Sequence, residues 1–217
     1  MSSQSQKHGF TYENNIRSII FDLPLEKNNT DTHDIHKDKN KYNTNENCSI
    51  KTTGTNTICC SDILRFYNYD FEKKNTIIVV SYKQTDVHKI IKHIYEIDYN
   101  KKCHELLFGN LPKKEIEKYI NGVKSIPTNV KGKDAKNIFN YLVEKTKLKK
   151  LYNNIIQISP KVDHTQSRVQ CAIPNFEKNL KEFITYKSSS DTPNIIRGKE
   201  IPLSIESGTR KRNTKVK

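Results

Sequence analysis

The run NTIIVVSYKQ, residues 75–84, places the strongest constraint on how this chain of 217 residues can fold. Residues 76–80 are all β-branched, and the run follows the turn-like sequence EKKN. β-branched side chains favour extended backbone, and a continuous apolar strand is typical of a sheet covered on both faces. We therefore expect a central strand in a sheet that is flanked by helices.

The segments before this strand predict a helix, two strands and a second helix. Apolar residues at a period near 3.6 predict the first helix, which must end at Leu23-Pro24 because proline cannot continue the hydrogen-bond ladder. The polar stretch that contains THDIHKD is either a linker or an edge or hairpin strand, and in the second case the following NCSIKTTG is its partner strand. The spacing of TICCSDILRFYNY predicts the second helix. After the central strand, a short helix or turn leads into HIYEIDY, which predicts a further strand.

The chain changes character after residue 110. PKKEIEKYINGV predicts an amphipathic helix that stops at Gly122, and GKDAKNIFNYLVEKTKLKKLYNN predicts a second, longer one. IIQISPKV and RVQCAIPNF predict two strands joined by a polar loop, followed by a short helix in FEKNLKEFI. We expect a disordered 1–8, a core over 9–110, a helical and β-ribbon region over 111–186 that completes the domain, and a flexible basic tail over 187–217.

The charge balance favours a polyanionic partner. Lys and Arg number 38 against 24 Asp and Glu, a formal net charge of +14. Each phosphate that a cation neutralises releases condensed counterions, so such an excess favours nucleic acid. The alternative is a Lys- and Asn-rich proteome that raises the charge without any role in binding.

Several features indicate an intracellular protein. No apolar run approaches the roughly 20 residues of a membrane span, and the N-terminal MSSQSQKHGF lacks the apolar region of a signal peptide. The five cysteines are odd in number and lack the spacing of a disulfide framework, which suits a reducing compartment. The tail RKRNTKVK can contact DNA or serve as a nuclear address in a eukaryotic host.

An acid and a lysine on paired strands can support phosphodiester hydrolysis. The reaction needs a divalent metal held by carboxylate oxygens and a group that orients or deprotonates the attacking water. Asp34 on THDIHKD and Lys51 on NCSIK are 17 residues apart, enough for one hairpin. Ser49, Ile50 and Lys51 should point out, in and out along their strand.

These residues, in the order helix, HDI, SIK and NTIIVVSYKQ, resemble the PD-(D/E)xK nuclease superfamily over about residues 9–99. The resemblance implies an α/β fold with a mixed central sheet flanked by helices, and Mg²⁺ as the cofactor. Its metal-binding aspartate falls on Asp34, its lysine on Lys51 and its helix-borne glutamate on Glu13.

The sequence departs from the family pattern at Ser49, where the family has an acid. A serine supplies no formal negative charge to a metal, although it can help to hold a metal-bound water. Glu13 is the natural substitute acid and Glu46 a weaker one. If neither reaches the site, the core is catalytically inactive.

The stretch ISPKVDHTQSRVQCAIPNF, residues 158–176, is similar to segments of type II restriction endonucleases. Arginine pairs bidentately with guanine and glutamine with adenine, and a two-stranded ribbon fits the major groove. The predicted DNA-binding residues are Lys161, Gln166, Arg168 and Gln170 on this ribbon, with Lys83 and Arg65 elsewhere.

Each candidate residue also has an ordinary structural role to play. Glu13 can pair with Arg17 on an exposed helix face, and Asp34 can be a solvated loop residue. A competing active site combines Asp62 with Ser81 and Lys83, although Asp62 also suits a helix N-cap. The His and Cys residues lack zinc-site spacing, so we expect most cysteines to be small buried apolar groups.

The combined expectation is a Mg²⁺-dependent type II restriction-like endonuclease that cuts double-stranded DNA. The resemblance implies a homodimer and a cognate DNA methyltransferase acting on the same site. Three alternatives stay open: a structure-specific nuclease such as a junction resolvase, a non-catalytic DNA-binding protein with a degenerate nuclease core, and a basic structural protein.

Overall fold

The structure is a computed structural model that describes residues 11–25, 32–163 and 167–206. The described strands are β1 (Glu46–Thr53), β2 (Thr57–Asp62), β3 (Lys74–Gln84), β4 (His88–Asp98), β5 (Gln157–Val162), β6 (Ser167–Pro174), β7 (Ile184–Lys187), β8 (Ile195–Ile196), β9 (Lys199–Glu200) and β10 (Ser204–Glu206). The helices are α1 (residues 11–20), α2 (Ile63–Tyr67), α3 (Lys101–Phe108), α4 (Lys113–Lys124), α5 (Gly132–Ile138), α6 (Tyr141–Tyr152) and α7 (Phe176–Asn179).

The chain forms two compact units, each drawn from separate stretches of sequence. Unit 1 combines 1–55, 77–97 and 184–217, and unit 2 combines 56–76 and 98–183. The sequence prediction instead divided the chain into consecutive ranges, because local patterns cannot reveal which distant segments pack together.

Unit 1 is built on a five-stranded sheet in the order β1-β3-β4-β10, with β7 also paired to β4. Its core contains side chains from helix α1, from the strands and from the C-terminal segment. The fully buried members include Tyr12, Ile16, Ile78, Ile94 and Ile196. The strong strand of the opening prediction is therefore confirmed as a central, buried one.

Unit 2 contains a three-stranded sheet in the order β2-β6-β5, with helices packed on it. Helix α4 contacts β6, α6 and α2. A cluster of aromatic rings fills the space near α2 and α3, with the rings of Phe66 and Tyr99 stacked at 4.5 Å between centroids.

The predicted general class, an α/β fold with a mixed central sheet flanked by helices, is confirmed.

The predicted helix over TICCSDILRFYNY is wrong for its first half. Residues 57–62 form β2, which pairs antiparallel with β6, so that Ile58 lies opposite Ile173. Pairing with a distant strand buries Ile58 and Cys60, and this gain overrides the local helical spacing. The helix begins only after Asp62, whose carboxylate accepts a hydrogen bond from the Arg65 backbone N–H at 2.8 Å. The N-cap role of Asp62 is thereby confirmed.

Two predicted helix boundaries differ from the structure for one physical reason. Helix α4 continues past Gly122 to Lys124, and the predicted longer helix is interrupted at residues 139–140. A Cβ atom at Gly122 would overlap the ring of Phe139. Gly122 therefore provides space for Phe139, which leaves the helical path and packs on Tyr119 at 5.8 Å between ring centroids.

Residues 187–206 differ from the flexible tail that the sequence predicts. Strands β8 and β9 form a hairpin whose two-residue loop, Arg197 and Gly198, has positive φ at both positions, as a type I′ turn requires. Ser188 is buried and donates to the Pro193 carbonyl at 2.9 Å. Long-range packing of a few isoleucines orders this polar segment. None of the described helices has the length and apolar character needed to cross a membrane.

Candidate active site

The segment 32–36 lies along the open edge of β1 but forms only one bridge instead of the predicted full strand. Ile35 and Cys48 exchange both backbone hydrogen bonds, at 2.9 and 2.8 Å. At Asp34, one residue earlier, the side chain takes the place of a backbone partner. Its Oδ2 accepts a hydrogen bond from the Ile50 backbone N–H at 2.5 Å. Burial of Ile35 in the core of unit 1 anchors this short pairing.

The predicted pair of Asp34 and Lys51 is brought together. Lys51 Nζ lies 3.4 Å from Asp34 Oδ2, and the two side chains are 20% and 16% exposed. Both contacts of the carboxylate fall on Oδ2, so that Oδ1 has no hydrogen-bond partner within the part of the chain that the structure describes. The pair is thus shielded but reachable, with one carboxylate oxygen open to a further ligand.

Helix α1 reaches the same place through Arg17. The Arg17 side chain is 2% exposed and its Nη1 donates a hydrogen bond to the Asp34 carbonyl. Arg17 therefore does not lie on the exposed helix face that its spacing from Glu13 suggested. Glu13 is half-buried and precedes Arg17 by one turn on this helix.

Among the residues that the structure describes, no three His, Cys, Asp or Glu side chains converge as metal ligands. Glu13 and Asp34 therefore do not belong to a preformed three-ligand cluster. Mg²⁺ does not require one, since it is held by one or two carboxylates together with waters and substrate phosphates.

Ser49 is buried instead of pointing outward, at 1% exposed. Its Oγ lies 3.5 Å from His33 Nδ1. Ser49 and Lys51 are two residues apart on β1, so their side chains project from the same face of the strand. His33 therefore lies beside Ser49 at the candidate site, although the sequence analysis did not assign it there. The one indication in the sequence was that His33 precedes Asp34.

The substitute acid Glu46 has another role. It is 1% exposed, and its two carboxylate oxygens accept from Arg197 Nη1 and Nη2 at 3.0 and 3.1 Å. Asn40 Nδ2 donates to the same carboxylate at 2.8 Å, and Arg197 Nε donates to Glu96 at 2.6 Å. Burial lowers the pKa of Arg197, but the hydrogen bonds that it donates to Glu46 and the charge of Glu96 raise that pKa above its ordinary value overall. Glu46 therefore cannot supply the acid missing at Ser49.

The predicted ribbon of unit 2 forms, as part of the three-stranded sheet. In the antiparallel register Lys161 lies opposite Arg168, and Ser159 lies opposite Gln170. Facing residues in such a pair share one side of the sheet, which therefore carries these four polar residues. Gln166 lies outside the described residues.

The two remaining DNA-binding candidates occupy exposed positions, Lys83 near the end of β3 in unit 1 and Arg65 on α2 in unit 2. The cysteines confirm the apolar interpretation, since four of the five are buried. Burial raises the pKa of Cys103 to about 12, as expected of an inert thiol.

The chain matches no protein-family model, no curated protein and no solved structure.

Proposed function

We propose that this protein is a Mg²⁺-dependent endonuclease of the PD-(D/E)xK type that cuts double-stranded DNA in the manner of a type II restriction enzyme. The observation that carries the proposal is the contact of 3.4 Å between Asp34 and Lys51 on neighbouring extended segments. An acid and a lysine at this spacing, partly shielded from water, suit the charge stabilisation that phosphodiester hydrolysis demands.

The donor set fits a hard divalent cation. Asp34 would hold Mg²⁺ through Oδ1, with Glu13 as the second carboxylate that the family resemblance supplies. When bound, Mg²⁺ stabilises the negative charge that develops on the scissile phosphate. Lys51 would orient the attacking water, and the buried Ser49 hydroxyl with His33 would hold a neighbouring solvent molecule.

The charge on the polar side of β5 and β6 supports a DNA-binding role for unit 2. Lys161 and Arg168 face each other directly across the two strands, and like charges in that arrangement destabilise a sheet. A phosphate backbone would remove this repulsion, with Gln170 placed to read a base edge. A homodimer on a palindromic site and a partner methyltransferase complete the proposal.

The test is incubation with unmethylated linear duplex DNA, with and without Mg²⁺, followed by mapping of the ends. We expect discrete fragments that require Mg²⁺ and disappear in Asp34→Ala and Lys51→Ala. Lys41→Ala is the matched control, because Lys41 belongs to an exposed surface pair with Asp22 in the same unit. Fragments that persist in Lys51→Ala would refute the assignment of this site.

A second candidate is a DNA-binding protein without catalytic activity, and the contact of Ser49 with His33 favours it. A histidine occupies the space beside the position where the family carries its acid. DNA retention that weakens steeply with salt, without any cleavage, would support this candidate. Replacing Lys161 or Arg168 should then lower the slope of log affinity against log salt by about 1 for each phosphate contact removed.

A further inference from the structure

Unit 2 contains a cavity of about 310 Å³ between helix α6 and strand β5. Cavities that bind small molecules start near this size, roughly 300 Å³. Its walls combine cationic, hydroxyl, amide and apolar groups, from Lys145, Thr146, Lys149, Asn154, Ile156, Gln157, Ile158 and Ser159. None of these residues belongs to the Asp34–Lys51 site.

Two lysines on one face of α6 give the cavity a positive charge. Lys145 and Lys149 are one turn apart, and neither has an acidic partner within the described chain. The nearby Glu144 is paired with Lys147 at 2.6 Å. Lysines near a helix C-terminus interact favourably with the helix dipole, which accounts for Lys149 but not for Lys145, in the second turn. Like charges at this spacing repel, and an anion between them would relieve the repulsion.

A buried amide supplies a second, independent feature. Asn154 lines the cavity and is 3% exposed. Its Nδ2 donates to the Ile156 carbonyl at 2.8 Å, whereas its Oδ1 has no hydrogen-bond partner among the residues described. Buried acceptors are nearly always satisfied, so this oxygen calls for a donor that the described chain does not provide.

We propose that this cavity binds a mononucleotide unit. The phosphate would lie between Lys145 and Lys149, and the sugar or base would pack on the apolar part of the wall, to which Ile156 and Ile158 contribute. An N–H or O–H group of the ligand would donate to Asn154 Oδ1 once the side chain turns toward the cavity, since this oxygen is enclosed in the free protein. The unit can come from a free nucleotide or from a nucleotide within single-stranded DNA, since both present this chemistry.

The test is calorimetric titration of the full chain with AMP, ribose 5-phosphate, inorganic phosphate, adenosine and a short single-stranded oligonucleotide. We expect AMP or the oligonucleotide to bind, with the dissociation constant raised at least fivefold in Lys145→Gln and in Lys149→Gln. Lys150→Gln is the matched control, because it removes the same charge from the same helix outside the cavity. Binding of AMP indicates a free nucleotide, and binding of the oligonucleotide alone indicates a strand.

Asn154→Ala should reduce the preference for AMP over ribose 5-phosphate if Asn154 contacts the base. The inference is independent of the nuclease proposal, so Asp34→Ala should bind AMP as the wild type does. Failure of both AMP and the oligonucleotide to bind at millimolar concentration would overturn it. An equal loss in Lys150→Gln would do the same, since it would reveal diffuse attraction to a basic surface.

Discussion

Two charged groups in unit 1 are attached to the same strand, β1, and differ in how completely the protein satisfies them. Arg197 contacts Glu46 and Glu96 through three nitrogen–oxygen contacts of 2.6 to 3.1 Å, and only 2% of the Glu46 side chain is exposed. Asp34 and Lys51 make one contact of 3.4 Å, at 16% and 20% exposure.

This difference distinguishes charged side chains that stabilise the fold from charged side chains that a ligand can still contact. Each nitrogen of the Arg197 guanidinium already donates to a carboxylate oxygen of the protein, so a ligand could bind Arg197 only by replacing one of these hydrogen bonds. Asp34 keeps one oxygen without a hydrogen-bond partner in the described ranges, in a partly exposed position. Substitutions in the two groups should therefore act on different measurements.

Arg197→Met should have the largest effect, a loss of about 3–5 kcal/mol in the free energy of unfolding, because it leaves the buried Glu46 and the half-buried Glu96 without their cation. Urea denaturation measures the loss. Lys41→Met is the control, since Lys41 pairs with the exposed Asp22 in the same unit and its loss should leave the free energy of unfolding nearly unchanged. Equal losses of unfolding free energy in the two variants would show that Arg197 stabilises the protein no more than an exposed surface pair does.

Lys51→Met should reverse the pattern. Under the proposed function, cleavage of DNA should fall at least about 10²-fold, because the attacking water would lose the group proposed to orient it. The free energy of unfolding should fall by only about 1.5 kcal/mol, since Asp34 keeps its hydrogen bond from Ile50. Cleavage rates and urea denaturation of the same preparation test both parts. A variant that loses stability as Arg197→Met does would place Lys51 with the structural charges.

Ser49→Asp should sharpen the assignment by restoring the acid of the family pattern. A carboxylate beside Lys51 and Asp34 would give Mg²⁺ a further ligand besides Asp34 and Glu13, and we expect the Mg²⁺ concentration for half-maximal cleavage to fall about tenfold. Ser49→Asn has nearly the same size and no charge, so it should not show this gain. Circular dichroism checks that the buried position accepts either side chain.

His104 extends the comparison to a titrating group in unit 2, with the smallest expected effect. It packs on Phe108 at 4.6 Å between ring centroids, and its Nδ1 lies 3.0 Å from the Tyr99 hydroxyl. Burial lowers the pKa of His104 below 6.5. The unfolded chain therefore binds the proton more readily, and stability should fall as the pH drops below about 6.5.

His104→Gln should reduce this loss of stability by no more than about 1.4 kcal/mol per pH unit. Urea denaturation at pH 5.5 and 7.5 measures the difference between variant and wild type. An unchanged pH dependence in the variant would show that His104 does not contribute to it.

Features encoded in neighbouring residues could be predicted, and those encoded in distant ones could not. Strand β3 and the pair β5 and β6 follow from runs of β-branched and apolar residues. Strand β2 does not, because its partner β6 is more than a hundred residues away in sequence and decides between two conformations that the local pattern permits. The Phe139 break likewise depends on the space that Gly122 provides on another helix.

The sequence by itself determined the meeting of Asp34 and Lys51. They are 17 residues apart, and the alternation of side chains along one short pairing brings them together once Ile35 is buried. Only the tertiary structure decided that Ser49 would face His33 and that Glu46 would be taken by Arg197, 151 residues away. The repeat of 2 residues in strands and 3.6 in helices determines which neighbouring side chains lie on one face. Which distant residues come into contact depends instead on how charged and apolar groups are buried together when the chain folds.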